Sequence, residues 1–245
     1  RVNVDGVRNV VAACRSNRVP RLVYTSSIHA IAEPPKGTVI DESQPFDPDR
    51  VLGDYAHSKA HATLILLEEE KKGNLDAVVC CPTGVIGPFD YGISSIGQLI
   101  LDFASGRLKS YVNGAYDYVD VRDVVNGLIL AAEKGKSGRH YILSGEQVQV
   151  NNLLMELSKA IGLPAPTFRI PAILARTAGV LASVYYRLLK QKPIFTAYSI
   201  DVLRSNSMVS SSRAHEELGF IARPWQESIH DQVKWFEDEN MLFRK

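Results

Sequence analysis

Tyr55 and Lys59 stand four residues apart in the run Tyr55-Ala56-His57-Ser58-Lys59. On a helix that spacing puts both side chains on one face, a single turn apart. An ammonium beside a phenol favours the phenolate and draws the phenol's pKa toward neutrality. A phenol poised in this way gives a proton to a carbonyl oxygen or takes one from an alcohol. The spacing alone is weak evidence, because Tyr and Lys often sit four apart as a surface pair. Thr25-Ser26-Ser27 adds a second element, directly after a short β-branched run and with Ser27 28 residues before Tyr55. A hydroxyl at the carboxyl end of a parallel strand sits where open α/β sheets bind ligands. There it can hydrogen-bond the oxygen on which Tyr55 acts, whereas the plain alternative is a solvated turn.

Such a meeting requires a strand that ends at Thr25 and a helix that carries Tyr55. Arg21-Leu22-Val23-Tyr24-Thr25, behind Pro20, reads as a buried strand. Glu33 to Gly53 reads as loop. Residues 55–72 read as a helix stopped by Gly73-Asn74, with Ala56, Ala60, Leu64 and Leu67 as its apolar face. The chain opens in another helix, with Val4, Val7, Val10 and Val11 at helical spacing. Ala77-Val78-Val79-Cys80-Cys81 is a second buried strand, ended by Pro82. Further helices are expected over 93–105, 121–133, 150–161 and 224–240, with strands around Val119 and Tyr141-Ile142-Leu143. This alternation predicts an α/β chain built on a Rossmann-like doubly wound parallel sheet. Residues 1–163 are expected to form the main domain, with some interleaving. Residues 164–245, punctuated by Pro171, Pro193 and Pro224, are expected to form a smaller, mostly helical substrate lobe or cap.

The 245 residues carry 28 Lys and Arg against 27 Asp and Glu, a net charge of +1. That balance offers neither the basic face that nucleic acid needs nor a polybasic patch for anionic lipid. The stretch from Pro171 to Leu189 is rather apolar but contains Arg176 and Arg187, so it reads as a lid and not as a membrane span. Cys14, Cys80 and Cys81 cannot make a disulfide framework and lack the CxxC spacing of zinc sites. Cys80 and Cys81, adjacent in an apolar run, read as small buried hydrophobes, and the setting as reducing and cytoplasmic.

Five segments then occur in order: Asn3-Val4-Asp5-Gly6, Leu22 to Ser27, Tyr55 to Lys59, Cys81 to Pro88, and Tyr118 to Val124. Together they resemble the extended short-chain dehydrogenase/reductase family, which includes NAD-dependent epimerases and dehydratases, dihydroflavonol-reductase-like enzymes and 3β-hydroxysteroid dehydrogenases. The resemblance covers essentially the whole chain. It implies an NAD- or NADP-dependent oxidoreductase that transfers hydride between nicotinamide and a carbonyl or alcohol of a small, apolar substrate. It implies Tyr55 as general acid/base, Lys59 as its charge partner and holder of the nicotinamide ribose, and Ser27 as the group that polarises the carbonyl. Asn3 matches an asparagine that supports a proton-relay water, although a helix N-cap is its plain alternative. Thr25, Pro82, Thr83 and Val85 would join Tyr55 and Lys59 along the nicotinamide. The family also implies a homodimer through the helices that start near Asn3 and Tyr55.

Two departures from the family stand out. Its Gly-x-x-Gly-x-x-Gly turn has no counterpart here, since Gly84-x-x-Gly87 follows a later strand, runs into Pro88 and lacks a third glycine. The expectation is therefore a chain without the N-terminal nucleotide-binding half, inactive as it stands, with NAD versus NADP open. Tyr116-Asp117-Tyr118 also stands where many nucleotide-sugar enzymes have Arg-Asp-Phe, whose arginine helps bind the diphosphate. This weakens the alternative of a sugar epimerase or dehydratase, which would show no net nucleotide turnover where a reductase consumes NAD(P)H one for one. A non-catalytic dinucleotide-sensing protein is the reading from another class, and the intact Ser27, Tyr55 and Lys59 argue against it. His29 could line the substrate pocket, while His57 reads as surface. Asp120 and Asp123 read as helix-start residues, Trp225 and Trp235 as packing, and Phe195 and Tyr198 as candidates for the cap.

Overall fold

A computed structural model of the chain describes residues 2–175, 177, 201–203 and 205–242. Most of the apolar cap segment after residue 175, with Phe195 and Tyr198, lies outside the described residues. The chain runs α1 (Val2–Ser16), β1 (Leu22–Thr25), α2 (Gly53–Lys71), β2 (Ala77–Pro82), β3 (Gly84–Ile86), α3 (Ser95–Ala104), β4 (Ser110–Val112), β5 (Ala115–Asp120), α4 (Val121–Lys134), β6 (His140–Leu143), β7 (Glu146–Gln149), α5 (Val150–Ile161), β8 (Phe168–Ile170), α6 (Ser212–Leu218) and α7 (Trp225–Asp238). Among the described residues no helix is long and apolar enough to cross a membrane.

A parallel sheet in the order β1-β2-β6 is the frame. Leu22 pairs with Ala77 and Thr25 with Cys80, and Cys80 pairs in turn with Tyr141. Every residue of β2 is buried, as expected of a central parallel strand covered on both faces. Alternation along it sorts the two layers. Val79 and Cys81 join Val7, Val11 and Cys14 of α1 and Ala60 and Leu66 of α2. Val78 and Cys80 join Val124 and Ala131 of α4 and Ala214 and Leu218 of α6. Helices thus cover both faces, which is the doubly wound arrangement. Each buried Val or Leu stabilises the fold by about 1.5–3 kcal/mol. On α4, Gly127 permits a close approach to β6, because a Cβ there would lie 2.8 Å from a Leu143 methyl.

The buried face of α2 is Ala56, Ala60, Thr63 and Leu66, whereas Leu64 is exposed. Of the face expected from sequence, Ala56 and Ala60 are buried and Leu67 packs partly buried against the core, while Leu64 does not.

The described chain divides into two compact units, and they interleave. The first comprises Arg1–Val85, Tyr118–Gly145 and Met208–Arg223; the second comprises Ile86–Asp117, Glu146–Ser207 and Pro224–Lys245. A break at residue 163 does not describe this, because Met208–Arg223 is fastened into the first unit. There Arg213 donates to the carbonyls of His140 and Glu42 at 3.3 and 3.4 Å, and Lys134 donates to Leu218 O at 3.1 Å. Arg223 clasps Asp123 at 2.8–3.1 Å. Asp120 is the N-cap of α4, accepting the Arg122 N–H, and Glu42 Oε1 accepts the edge N–H of Ile142 at 2.9 Å. In the second unit α5 packs on α3 and α7, with His230 and Glu156 paired at 2.8 Å, and β4 pairs in parallel with β8. Strands β3, β5 and β7 form a further sheet in that order.

His140 gives a test of the first unit's core. Its ring meets Phe46 edge-on at 4.8 Å, and its Nε2 is buried without a partner. Burial, with the nearby Arg213 and Arg139, pushes its pKa from 6.5 down to about 4. The unfolded chain takes up this proton near pH 6.5 and the folded chain only near pH 4. Stability present above that window is therefore lost as pH falls through it, by at most about 3 kcal/mol. Urea unfolding at pH 7 and pH 4.5 should show a loss in wild type that His140→Phe reduces.

Candidate active site

The site is built at the carboxyl end of β1. Beyond Thr25 the chain turns through Ser26 and Ser27 into a short 3-10 turn, Ile28–Ala30. The first two hydroxyls go separate ways. Ser26 is buried, and its Oγ lies 2.7 Å from Thr63 Oγ1 on α2. Thr63 also donates to Lys59 O at 2.8 Å. Ser27 Oγ accepts the His29 backbone N–H at 3.2 Å, which leaves its own proton to donate elsewhere.

The helix α2 starts at Gly53, whose φ of +85° is a left-handed conformation open to glycine. Two residues on comes Tyr55, 49% exposed, with its ring edge-on to His29 at 6.5 Å between centroids. Burial lowers the pKa of His29, which favours the neutral imidazole. One turn later Lys59 Nζ donates to Thr25 O at 3.0 Å and lies 5.3 Å from the centre of the Tyr24 ring. Burial pushes the Lys59 amine's pKa down.

Asn3 lies inside α1, so it is not that helix's N-cap. Its Nδ2 donates to Ser58 Oγ at 2.8 Å, and Ser58 donates to Tyr55 O at 2.9 Å. Asn3, Tyr24 and Lys59 line one cavity of about 230 Å³ with the apolar Val2, Val7 and Leu22. On the neighbouring strand Pro82 is the last residue of β2 and is buried. Thr83 follows it. Its N–H donates to Leu143 O at 3.2 Å, while its Oγ1 is buried with no partner. Val85, on β3, is 37% exposed.

The structure therefore brings Ser27, Tyr55 and Lys59 to one strand end, joined through His29 and Thr25. Asn3 reaches the same turn of α2 by way of Ser58, while Pro82 ends the adjoining strand β2 and Thr83 and Val85 follow it. His57 is exposed. Sequence reasoning passed over Thr63, Ser58 and Tyr24. Thr63 is four residues beyond Lys59 and eight beyond Tyr55, so its spacing was a usable signal. Among the described residues no group of three or more His, Cys, Asp or Glu could hold a metal ion.

Residues 1–144 match the model of the NAD dependent epimerase/dehydratase family. The chain is 34% identical to sterol demethylase protein B of Methylococcus capsulatus, a match covering 98% of this chain and 74% of that protein. It is 32% identical to a putative dihydroflavonol 4-reductase of Synechocystis, covering 99% and 71%. Among solved structures, gox2253 aligns with a TM-score of 0.84 at 30% identity, covering 98% of this chain and 73% of that one. The chain spans about three quarters of the length of these relatives.

The Ser26–Thr63 bond fastens the end of β1 to α2. Thr63→Val strands the buried Ser26 hydroxyl and should cost about 1–3 kcal/mol in chemical denaturation, whereas Ser26→Ala leaves Thr63 donating to Lys59 O and should cost less. The double variant should cost less than the sum, because it leaves neither partner stranded.

Proposed function

The chain belongs to the NAD-dependent epimerase/dehydratase family, and from that footing we propose that it is an NAD- or NADP-dependent reductase acting on the carbonyl, or in reverse the alcohol, of a small apolar substrate. The observation that carries the reading is the convergence at the end of β1 of a hydroxyl with a free proton, Ser27, a half-exposed phenol, Tyr55, and a fixed ammonium, Lys59.

When bound, the nicotinamide supplies or accepts the hydride. Ser27 donates to the substrate oxygen and polarises the carbonyl. Tyr55 gives that oxygen its proton in reduction, or takes it in oxidation. Lys59 sets positive charge beside the oxygen and holds the nicotinamide ribose, with Thr25 O steadying its amine. The residues present fit the cofactor's nicotinamide end: the orphaned Thr83 Oγ1 is a buried polar atom in need of a partner, and Pro82 and Val85 flank it. Asn3, braced by Ser58, borders with Lys59 a cavity roomy enough for a relay water.

Two observations support an apolar substrate. Tyr116 replaces the arginine expected of diphosphate binding, and the two relatives compared are named for a sterol and a dihydroflavonol. Cys14, Cys80 and Cys81 are free and buried, which supports a reducing, cytoplasmic setting. The proposal includes a homodimer through α1 and α2, on which Val2, Val10 and Leu64 are exposed.

The test is product analysis. NADPH and NADH are offered with a ketosteroid, a dihydroflavonol and, separately, a nucleoside-diphosphate sugar. The expected outcome is one nucleotide oxidised per ketone reduced, with no conversion of the sugar. Tyr55→Phe should lower kcat by about 10²-fold or more while the nucleotide's KM changes little. Undiminished turnover in Tyr55→Phe, or conversion of the sugar without net nucleotide turnover, would overturn the reading.

A further inference from the structure

We infer that Tyr24 is a positioning residue whose ring face seats the Lys59 ammonium at the carboxyl end of β1; this rests on the role proposed for Lys59.

The geometry comes from one strand end. Lys59 Nζ lies 5.3 Å from the centre of the Tyr24 ring, inside the roughly 6 Å reach of a cation–π contact. The same nitrogen donates at 3.0 Å to the carbonyl of Thr25, the next residue along the strand. Successive residues thus offer a ring face and a carbonyl oxygen to one ammonium. Both replace hydration that Lys59 loses, since its amine is half buried on a long and flexible stem. Tyr24 and Lys59 also border the same cavity of about 230 Å³.

The Tyr24 phenol does not act as a second acid or base here. Burial first, then the neighbouring Tyr55 and Cys81, push its pKa up to about 12, so it stays protonated. What Lys59 meets is a neutral ring. The aromatic face is the required feature and the hydroxyl is not. Tyr24→Phe should therefore keep the seat, and Tyr24→Leu should remove it.

The experiment follows the titration of Lys59 itself in the full chain. The protein is labelled with [13C]lysine, and the Lys59 Cε resonance is assigned by its disappearance in Lys59→Arg. Its midpoint is then measured by NMR in wild type, Tyr24→Phe, Tyr24→Leu and Tyr24→Met, the last being a second apolar variant should the leucine fail to fold. Tyr24→Phe should titrate with wild type. Tyr24→Leu and Tyr24→Met should titrate lower by about half a pH unit, roughly a threefold change in the ionisation constant. An unchanged midpoint in the apolar variants would overturn the inference. So would a Tyr24→Phe midpoint displaced as far as theirs, since the hydroxyl would then be responsible. This readout involves no turnover. A failed reductase assignment would appear instead as Tyr55→Phe activity, so the two failures are distinguishable.

Discussion

The hydrogen bond from the Lys59 amine to the carbonyl of Thr25 ties the first turns of α2 to the end of β1. It constrains both partners. The Thr25 carbonyl must face Lys59 and not β2, and α2 must start early enough for Tyr55 to lie one turn before it. The Ser26–Thr63 bond makes the same tie one residue further along the strand and one turn further along the helix. Two such ties fix the rotation of α2 about its axis. That rotation explains why Ala60, Thr63 and Leu66 face inward and Leu64 does not.

From this fixed corner the hydroxyls at the strand end are sorted. Ser26 is committed to α2, while Ser27 caps the following turn through its oxygen and keeps a proton to donate. The register of β1 on β2 sets Thr25 beside Cys80, and the unpartnered Thr83 Oγ1 follows two residues after β2's Cys81. The apolar pairs Val78 with Cys80 and Val79 with Cys81 hold that register by serving opposite helix layers. A slip of one residue would turn each pair into the wrong layer.

Much of this frame was legible in the sequence because its signals are local. The spacing of Tyr55 and Lys59 is a helical repeat, and the run from Ala77 to Cys81 is apolar throughout because both faces of β2 are covered. The boundaries of α5 were read as Val150–Ile161 for the same reason. What was missed is non-local. β3, β4, β7 and β8 are only three or four residues long and carry little pattern. In α6 only Ala214 and Leu218 are apolar and buried, so its seven residues read as surface until β6 and α4 cover them. Nothing near Ser26 in the chain announces Thr63, 37 residues away. Some interleaving is expected from the sequence, but the segment that returns to the first unit, Met208–Arg223, is not legible in a linear reading, since Arg213 and Arg223 find their partners across the chain.

If the end of β1 faces the nicotinamide, nucleotide affinity must depend on residues that the fold brings there from α2 and from the turn after β2. Fluorescence titration of NADPH and NADH into wild type, Lys59→Met and Thr83→Val tests this most directly. Saturable binding of at least one nucleotide by wild type, weakened about tenfold in each variant, is the expected result; tenfold corresponds to about 1.4 kcal/mol, the scale of one hydrogen bond. Equal affinity in all three proteins, or no binding by wild type, would contradict the placement of the nicotinamide at this strand end.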